Sequence, residues 1–136
     1  MTATRVRFPF RSPTGRASVQ MPIVAARITL LQTIAVDCLI DSGASINVLP
    51  HSVGLQIGAV WSQQTVRVPL GGILAAREGR AVLVTVQIGS LTSVRLGFAW
   101  VDTDDVPVLL GHTNFFQEFD VCLFRSRGYF EVGHKQ

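Results

Sequence analysis

The sequence has few charged residues. Asp, Glu, Lys and Arg make up 15% of the 136 residues, whereas ordinary soluble domains carry about 25%. Hydrophobic residues make up 48%, and with so few charges the chain has more apolar surface than a small monomer easily buries. Because the interfaces of obligate oligomers resemble a core cut in half, this composition favours an oligomer. The length suits one domain.

Cysteine is also scarce, and long apolar runs are missing. The two cysteines, Cys38 and Cys122, are too few for a disulfide framework or a metal site, and their apolar, strand-like surroundings predict buried free thiols. No apolar run reaches the length of a membrane-spanning helix, and the N-terminal residues lack the apolar core of a secretory signal. We therefore expect a cytoplasmic protein with no membrane partner. An Arg- and Ser/Thr-rich N-terminus leaves a transit segment as the alternative.

Acidic residues are missing from the first 36 positions. The arginines of this stretch are Arg5, Arg7, Arg11, Arg16 and Arg27. A basic arm can contact nucleic acid or an acidic membrane surface, but no nucleic-acid-binding motif accompanies this one. We interpret residues 1–20 as a solvated basic arm and residues 21–136 as the folded domain, and we expect no nucleic-acid partner.

Short Val- and Ile-rich segments, separated by glycines and without long helical periods, indicate an all-β chain. A short helix is predicted at residues 112–119, with Thr113 as its N-cap, and a turn or single helical turn at residues 50–58. Residues 11–18 are rich in turn-forming residues. Strands are predicted at residues 5–10, 23–31, 35–40 and 46–49, in a hairpin over residues 65–88, and within residues 91–101, 106–111, 120–124 and 129–132.

The stretch CLIDSGASINVLP, residues 38–50, places an aspartate at the end of a buried strand. A carboxylate buried without a partner is costly, so Asp41 needs either a partner or a function. Asp-Ser-Gly by itself is a common turn sequence, and a purely structural turn is the alternative. No Ser-His-Asp order or metal-ligand spacing accompanies Asp41, and we expect neither a metal nor an organic cofactor.

The segment LIDSGASINVL resembles the active-site signature of the retropepsin-like (retroviral-type) aspartic protease family. The signature has two apolar residues, then Asp, Ser or Thr, Gly and Ala, and further on an apolar pair. A second family marker is an apolar run that ends in Gly before a short helix, and VPVLLGHTNFFQEF matches it with Leu109, Leu110 and Gly111. The segment between the two motifs is long enough for a flap hairpin. The resemblance covers roughly residues 23–124 and suits a single-domain bacterial member of the family.

This resemblance implies a small closed or partly open β-barrel with one short C-terminal helix, working as a homodimer. Asp41 would be the catalytic aspartate, contributed once by each subunit. Two carboxylates that share a proton can activate a water for peptide hydrolysis. The resemblance also implies roles for an active-site loop (Ser42, Gly43, Ala44), for flap and substrate-binding residues (Leu70, Gly71, Gly72, Ile73) and for support from the second marker (Leu110, Gly111).

Within the loop, the resemblance gives each residue a separate task. Ser42 would link the two active-site loops across the dimer axis. Gly43 would make main-chain hydrogen bonds to a bound peptide, and Ala44 would line the substrate cleft. Gly111 would let the helix pack under the loop.

Two positions depart from the retroviral pattern. Retroviral members often have an aspartate and an arginine where this chain has Ser45 and His112, and that ion pair supports their dimer. Since both charges are absent together, neither is left unpaired. An N-terminal strand or the hairpin of residues 120–132 could replace the contact, and an unchanged dimer after deletion of residues 129–136 would count against the hairpin.

The sequence therefore predicts an aspartic endopeptidase that acts on a peptide or protein substrate. A peptide-binding module with the same fold and little turnover is the alternative, because retropepsin-like domains of some ubiquitin-shuttle proteins have restricted activity. A structural β domain with an incidental Asp-Ser-Gly is a third hypothesis. The natural substrate, and whether the arm is removed by self-cleavage, are not predicted.

Four other features have two interpretations each. Trp61 and Trp100 could line a substrate pocket, although core packing is the commoner use of tryptophan. His112 could tune a pH response or simply start the helix. The acidic segment of residues 102–105 could bind a cation, but a solvated loop is the commoner structure.

Overall fold

The computed structural model describes residues 4–13 and 19–136. Most of the turn-rich segment predicted at residues 11–18, including Arg16, lies outside the described residues. The helices are α1 (His51–Gln56) and α2 (Phe115–Glu118), and 3-10 turns lie at Trp61–Gln63, Gly72–Leu74 and Arg125–Arg127. The strands are β1 (Arg5–Pro9), β2 (Ile23–Thr29), β3 (Thr33–Ile40), β4 (Val48–Leu49), β5 (Arg67–Val68), β6 (Gly79–Ile88), β7 (Val94–Val101), β8 (Val108–Leu110), β9 (Phe119–Phe124) and β10 (Tyr129–His134).

Six of these strands form a closed barrel. Its order is β2-β3-β8-β4-β7-β6, and pairing between β2 and β6 closes the ring. The C-terminal half of β6 pairs with β2, whereas its first residues pair with β5. The prediction of an all-β chain with a small barrel is confirmed, and the barrel is closed. Besides the predicted C-terminal helix, the described residues contain one further short α-helix, α1, which lies within residues 50–58, where a turn or single helical turn was predicted.

Strand β6 shows why these residues form a barrel wall. Successive side chains of a strand point to opposite faces, and Val82, Val84, Val86 and Ile88 are all buried while the intervening Leu83 is 47% exposed. Burial of each large apolar side chain contributes about 1.5–3 kcal/mol. The inward-facing half of β6 therefore fixes the register of this strand against its neighbours.

A second sheet has the order β1-β10-β9, and it includes part of the predicted arm. The rings of Phe8 and Phe10 lie 5.6 and 5.3 Å from that of Phe130, and Phe10 is buried. The strand predicted at residues 5–10 is thus confirmed apart from its last residue, while the interpretation of the same residues as a solvated tail is wrong. The alternating phenylalanines supply the apolar face that binds this segment to β10.

The arginines of this segment are paired with acidic residues of the folded domain. Arg7 Nη2 lies 3.2 Å from Glu131 Oε2, and Arg11 Nη2 lies 2.7 Å from Asp37 Oδ1. These exposed pairs contribute little stability. They nevertheless neutralise part of the positive charge that the sequence places near the N-terminus.

The position of β10 shows that deleting residues 129–136 would not be a clean test of a dimer contact. This strand lies between β1 and β9, and the side chains of Phe130 and Val132 are fully buried. Deleting residues 129–136 would remove the central strand of the sheet and expose its core. The deletion would therefore unfold this part of the protein and could not isolate a dimer contact.

The two tryptophans lie near the first helix. Trp100 is fully buried and its Nε1 donates to the carbonyl oxygen of His51 at 3.0 Å. Trp61 is partly buried and packs edge-on against Trp100, with ring centroids 4.9 Å apart. The core interpretation is confirmed for Trp100, and Trp61 covers the edge of the same cluster.

The two thiols lie in different environments. Cys38 is fully buried on β3, and burial, with a smaller contribution from Asp37, raises the pKa of its thiol. Cys122 is only half-buried on β9, where Arg5 Nη1 lies 3.4 Å from its Sγ. The prediction of a buried thiol is confirmed for Cys38 and wrong for Cys122, because Cys122 lies opposite Glu131 and shares its face of the sheet, whereas Phe130 and Val132 occupy the buried face.

This difference predicts selective thiol labelling. Because the thiolate is the reactive form and must be accessible, N-ethylmaleimide will modify Cys122 of the folded protein at least about tenfold faster than Cys38. Intact-mass measurements over time, with Cys122→Ser as the control, test this. Equal labelling of both cysteines under native conditions would contradict the buried position of Cys38.

No helix among the described residues is long and apolar enough to cross a membrane.

Candidate active site

Asp41 stands where β3 leaves the barrel wall. Strands β3 and β8 run parallel with Ile40 opposite Leu110, and the Asp41 N–H donates to the Leu110 carbonyl oxygen at 2.9 Å. The chain then reverses, since the Ala44 N–H donates to the Asp41 carbonyl oxygen at 3.0 Å. This contact defines a four-residue turn whose first member is the aspartate.

A main-chain donor orients the Asp41 carboxylate. The Gly43 N–H donates to Asp41 Oδ1 at 2.8 Å, and a Cβ on Gly43 would lie only 3.1 Å from that oxygen. Asp41 is half-buried, whereas Ser42 and Gly43 are exposed. The expectation of a buried carboxylate is wrong for the single chain, because the turn lies beyond the last paired residue of the strand.

The second sequence motif lies directly against this turn. The N–H groups of His112 and Thr113 donate to the carbonyl oxygens of Ala44 and Ser45 at 3.0 and 2.9 Å. A Cβ on Gly111 would lie 2.6 Å from the carbonyl oxygen of Ala44, so only glycine permits this approach. The structure therefore brings Asp41–Ala44 together with Leu110 and Gly111, which are distant in sequence.

The β5–β6 hairpin carries the other predicted site residues. Its first strand is two residues long instead of the predicted six, because Pro69 and the following glycines interrupt the ladder. The 3-10 turn Gly72–Leu74 lies at the tip, and Gly72 has a φ of +61°. Ile73 is 95% exposed. Gly71, Gly72 and Ile73 thus occupy the tip.

Two apolar patches lie along the strands that lead to the Asp41 turn. One cavity of about 220 Å³ lies beside Leu39, two residues before Asp41, and is lined mostly by apolar residues such as Met21, Ile23 and Pro107, with Asp37 as its charged member. Leu39 pairs with Leu109 on β8. Leu109 belongs to a second cluster, whose other members are Ile46, Val48, Leu70, Leu74, Val101 and Val106. Leu70 and Leu74 connect this cluster to the hairpin.

These features agree with the comparison to known families. A family model described as "Aspartyl protease" matches residues 26–113, which include both Asp41 and Gly111. The chain belongs to this aspartyl protease family. The family resemblance predicted from the sequence is therefore confirmed.

Solved structures show the same fold for this aspartyl protease family member. A retropepsin-like aspartic protease from Rickettsia conorii matches with a TM-score of 0.64 and 12% identity, covering 98% of this chain and 95% of the other. The retroviral protease-like domain of Ddi1 from Leishmania major matches with a TM-score of 0.53 and 18% identity, covering 69% and 74%. None of the curated proteins matches the chain. The TM-scores establish a shared fold, and at these low identities the likeness shows the fold alone.

Sequence reasoning missed two asparagines that hold this part of the fold together. Asn47 is 1% exposed; its Oδ1 accepts from the Gly111 N–H at 2.8 Å and its Nδ2 donates to the Gly97 carbonyl oxygen at 3.1 Å. Asn114 Oδ1 accepts from the Gly97 N–H at 3.1 Å. The detectable signal is Asn47 itself, a polar residue within a buried apolar run, which must be hydrogen-bonded.

Asn114 also corrects the predicted start of the helix. The N-cap of α2 is Asn114, whereas Thr113 was predicted. The backbone of Asn114 has a φ of 76°, which asparagine tolerates better than most residues. Its N–H donates to Gln117 Oε1 at 2.9 Å. This capping contact moves the helix start to residue 115.

His112 contacts the active-site loop through its side chain as well. Its Nε2 lies 2.6 Å from the Ser42 carbonyl oxygen, and its ring packs against Phe116 with centroids 5.0 Å apart. The residue lies three positions before α2, so its interpretation as a helix-start residue is incomplete. The histidine stands where many retroviral members have the arginine of an ion pair, and it contacts a carbonyl group.

The acidic segment of residues 102–105 makes hydrogen bonds to the backbone. The Ser52 N–H donates to Asp104 Oδ1 at 2.7 Å and lowers the pKa of that carboxyl. Asp102 Oδ1 accepts from the Glu78 N–H at 3.3 Å. Within the described part of the chain, no group of three His, Cys, Asp or Glu side chains is arranged to hold a metal. The Asp104 contact holds the segment against the start of α1.

Proposed function

We propose that the protein is an aspartic endopeptidase whose working unit is a homodimer, with one Asp41 from each copy at a two-fold axis. The single observation that carries this proposal is the Asp41 turn. It presents one oriented, half-exposed carboxylate in a fold whose family hydrolyses peptide bonds with two. A second copy would supply the second carboxylate and cover the exposed loop. The low charge content of the chain also favours an oligomer.

In the proposed mechanism the two Asp41 carboxylates hold a water and share one proton, because like charges so close cannot both ionise. The ionised carboxylate takes a proton from the water as its oxygen attacks the peptide carbonyl carbon. The protonated carboxyl donates its proton to the carbonyl oxygen. Return of a proton to the amide nitrogen then breaks the carbon–nitrogen bond and leaves a carboxylic acid and an amine.

The neighbouring residues would position the substrate. The Gly43 carbonyl group and the main chain of the hairpin tip would bind an extended peptide in strand fashion. Ala44 would line the cleft, and Ser42 would link the two loops across the axis. Gly71, Gly72 and Ile73 would close over the peptide as a flap, and Leu70 would lie where the flap meets the barrel. Leu110 and Gly111 would support the turn from below.

The apolar patches give the proposal a substrate preference. The cavity beside Leu39 and the cluster around Leu109 lie along β3 and β8, the two strands that lead to Asp41 and Gly111. Apolar surfaces bind apolar side chains by excluding water. We therefore expect cleavage between residues with large apolar side chains in extended, unfolded segments.

The test is cleavage of a mixed peptide library between about pH 4 and 7, a range that brackets the titration of a carboxylate pair. Wild type, Asp41→Asn and Asp120→Asn would be assayed together, Asp120 being an exposed aspartate on β9. We expect cleavage by wild type and Asp120→Asn and none by Asp41→Asn. Intact-mass analysis of the same samples would detect self-cleavage within residues 11–24.

Two results would overturn the proposal. Cleavage that survives in Asp41→Asn would place the chemistry elsewhere. No cleavage by wild type, from protein shown to be folded and dimeric, would favour the peptide-binding module, and retention of uncleaved peptides on the immobilised protein would then identify that function.

A further inference from the structure

We propose that His112 is a positioning residue for Asp41, acting through the peptide group that joins Ser42 to Gly43. The inference rests on the proposed role of Asp41 as the catalytic carboxylate. His112 belongs to the segment between β8 and α2, and its side chain touches the turn from the side opposite the carboxylate.

One peptide group is held at both of its ends. Its carbonyl oxygen, on Ser42, lies 2.6 Å from His112 Nε2, and its N–H, on Gly43, donates to Asp41 Oδ1 at 2.8 Å. In a trans peptide the C=O and N–H bonds point in opposite directions, and no peptide of the described residues is cis. His112 and the Asp41 carboxylate therefore fix the orientation of the same plane.

The chemistry of the contact assigns the proton on His112. A carbonyl oxygen can only accept a hydrogen bond, so Nε2 carries a hydrogen, either in the neutral Nε2–H tautomer or in the imidazolium. A donor at the carbonyl end polarises the peptide group and strengthens its N–H as a donor. The contact thus strengthens the hydrogen bond that holds the Asp41 carboxylate.

The contact also selects one of two turn conformations. Residues 41–44 form a turn closed by the Ala44 N–H and the Asp41 carbonyl oxygen, and the Ser42–Gly43 peptide is its central unit. Type I and type II turns differ by a rotation of this central peptide, and type II requires a positive φ at the third residue. Gly43 does not adopt a positive φ here, although glycine is free to do so. Rotation would turn the Gly43 N–H away from Asp41 and break the His112 contact.

The histidine itself is held in place by its neighbours. The backbone N–H of His112 donates to the Ala44 carbonyl oxygen at 3.0 Å, and the imidazole ring packs on Phe116. Gly111, directly before it, lies so close to the loop that a Cβ there would be 2.6 Å from the carbonyl oxygens of Ala44 and Ile46. The imidazole is therefore a fixed donor although it is exposed.

Two variants separate the donor from the ring. His112→Phe keeps a ring to pack on Phe116 and removes the donor. His112→Gln places an amide N–H about where Nε2 lies and removes the ring. With a peptide from the library, we expect His112→Phe to lower kcat roughly three- to tenfold, the usual net effect of one hydrogen bond, with KM within about twofold of wild type. His112→Gln will restore kcat to within about twofold of wild type.

A second readout needs no catalysis. In ¹⁵N-labelled protein, loss of the polarising donor will move the Gly43 amide proton upfield in His112→Phe and leave it near the wild-type position in His112→Gln. If wild type cleaves nothing, the proposed function fails while this NMR comparison still tests the role of His112. An unchanged Gly43 resonance in His112→Phe, or a His112→Gln variant whose Gly43 resonance moves as far as that of His112→Phe, would overturn the inference.

Discussion

Replacing Asp41 by Asn in only one half of a covalently joined pair of chains will lower peptide cleavage at least about 100-fold, the lower range of what an acid–base group contributes. The proposed site has one carboxylate from each copy, and the two share a single proton. An asparagine can neither take a proton from the water nor hold the shared proton. The joined pair would therefore lose activity although one of its two Asp41 residues is intact.

The joined pair can be made with a flexible Gly/Ser linker. Its matched controls are the joined wild-type pair and a pair with Asp120→Asn in one half. Both controls should cleave at the rate shown by unlinked wild type at a protein concentration high enough for full dimer formation. Retention of about half of the activity in the singly substituted Asp41→Asn pair would show that each chain carries a complete site, and would contradict the shared site.

Gly111→Ala will lower the free energy of unfolding by about 2–3 kcal/mol, the upper part of the range for overpacking. The added Cβ would lie 2.6 Å from the carbonyl oxygens of both Ala44 and Ile46. These are backbone atoms of the active-site loop, so no side-chain rotation can relieve the contact. The loop and the segment before α2 must separate, which also weakens the hydrogen bond from the Gly111 N–H to Asn47.

Gly71→Ala is the matched control for this substitution. Gly71 has a φ of −118°, and nothing lies within 4 Å of the position its Cβ would take, so this change should stay within about 0.5 kcal/mol of wild type. Urea unfolding gives the free energy of unfolding of both variants. All samples should have the same protein concentration, because the stability of an oligomer depends on it. A Gly111→Ala protein as stable as Gly71→Ala would mean that the loop does not pack on Gly111 as described.

Local patterns in the sequence predicted the parts of the fold that depend on local periodicity. The alternation of valines along β6 predicted a strand, and the family resemblance implied that Gly111 lets the helix pack under the Asp41 loop. The packing at Gly111 was implied by the resemblance, whereas the β6 strand follows from neighbours within a few residues. The same holds for the short helix after His112, whose existence was predicted although its N-cap was not.

Contacts between distant segments could not be predicted in this way. Asn47 and Asn114 both bind Gly97 on β7, and nothing in the sequence around Gly97 indicates that its peptide groups are bound by side chains. The strand at the N-terminus was predicted, but its partner β10 lies at the opposite end of the chain. Similarly, the contact between His112 and the Ser42 carbonyl depends on the approach of two loops and has no pattern of its own.

The exposure of Asp41 has a different cause. The sequence around it is apolar on both sides, which predicted burial, yet in one chain the turn projects past the barrel wall and remains half-exposed. A second copy would complete its surroundings if the proposed dimer forms. The sequence identifies the residues around Asp41, but the burial of its carboxylate depends on whether a second copy covers the turn.

The most direct test of the shared site is the specific activity of wild type during dilution, measured with a fluorogenic peptide chosen from the library and compared with sedimentation velocity at the same concentrations. Our account predicts that activity per chain falls in step with the fraction of dimer, while the joined wild-type pair keeps its activity at every dilution. Full activity per chain at concentrations where sedimentation shows only monomers would contradict it.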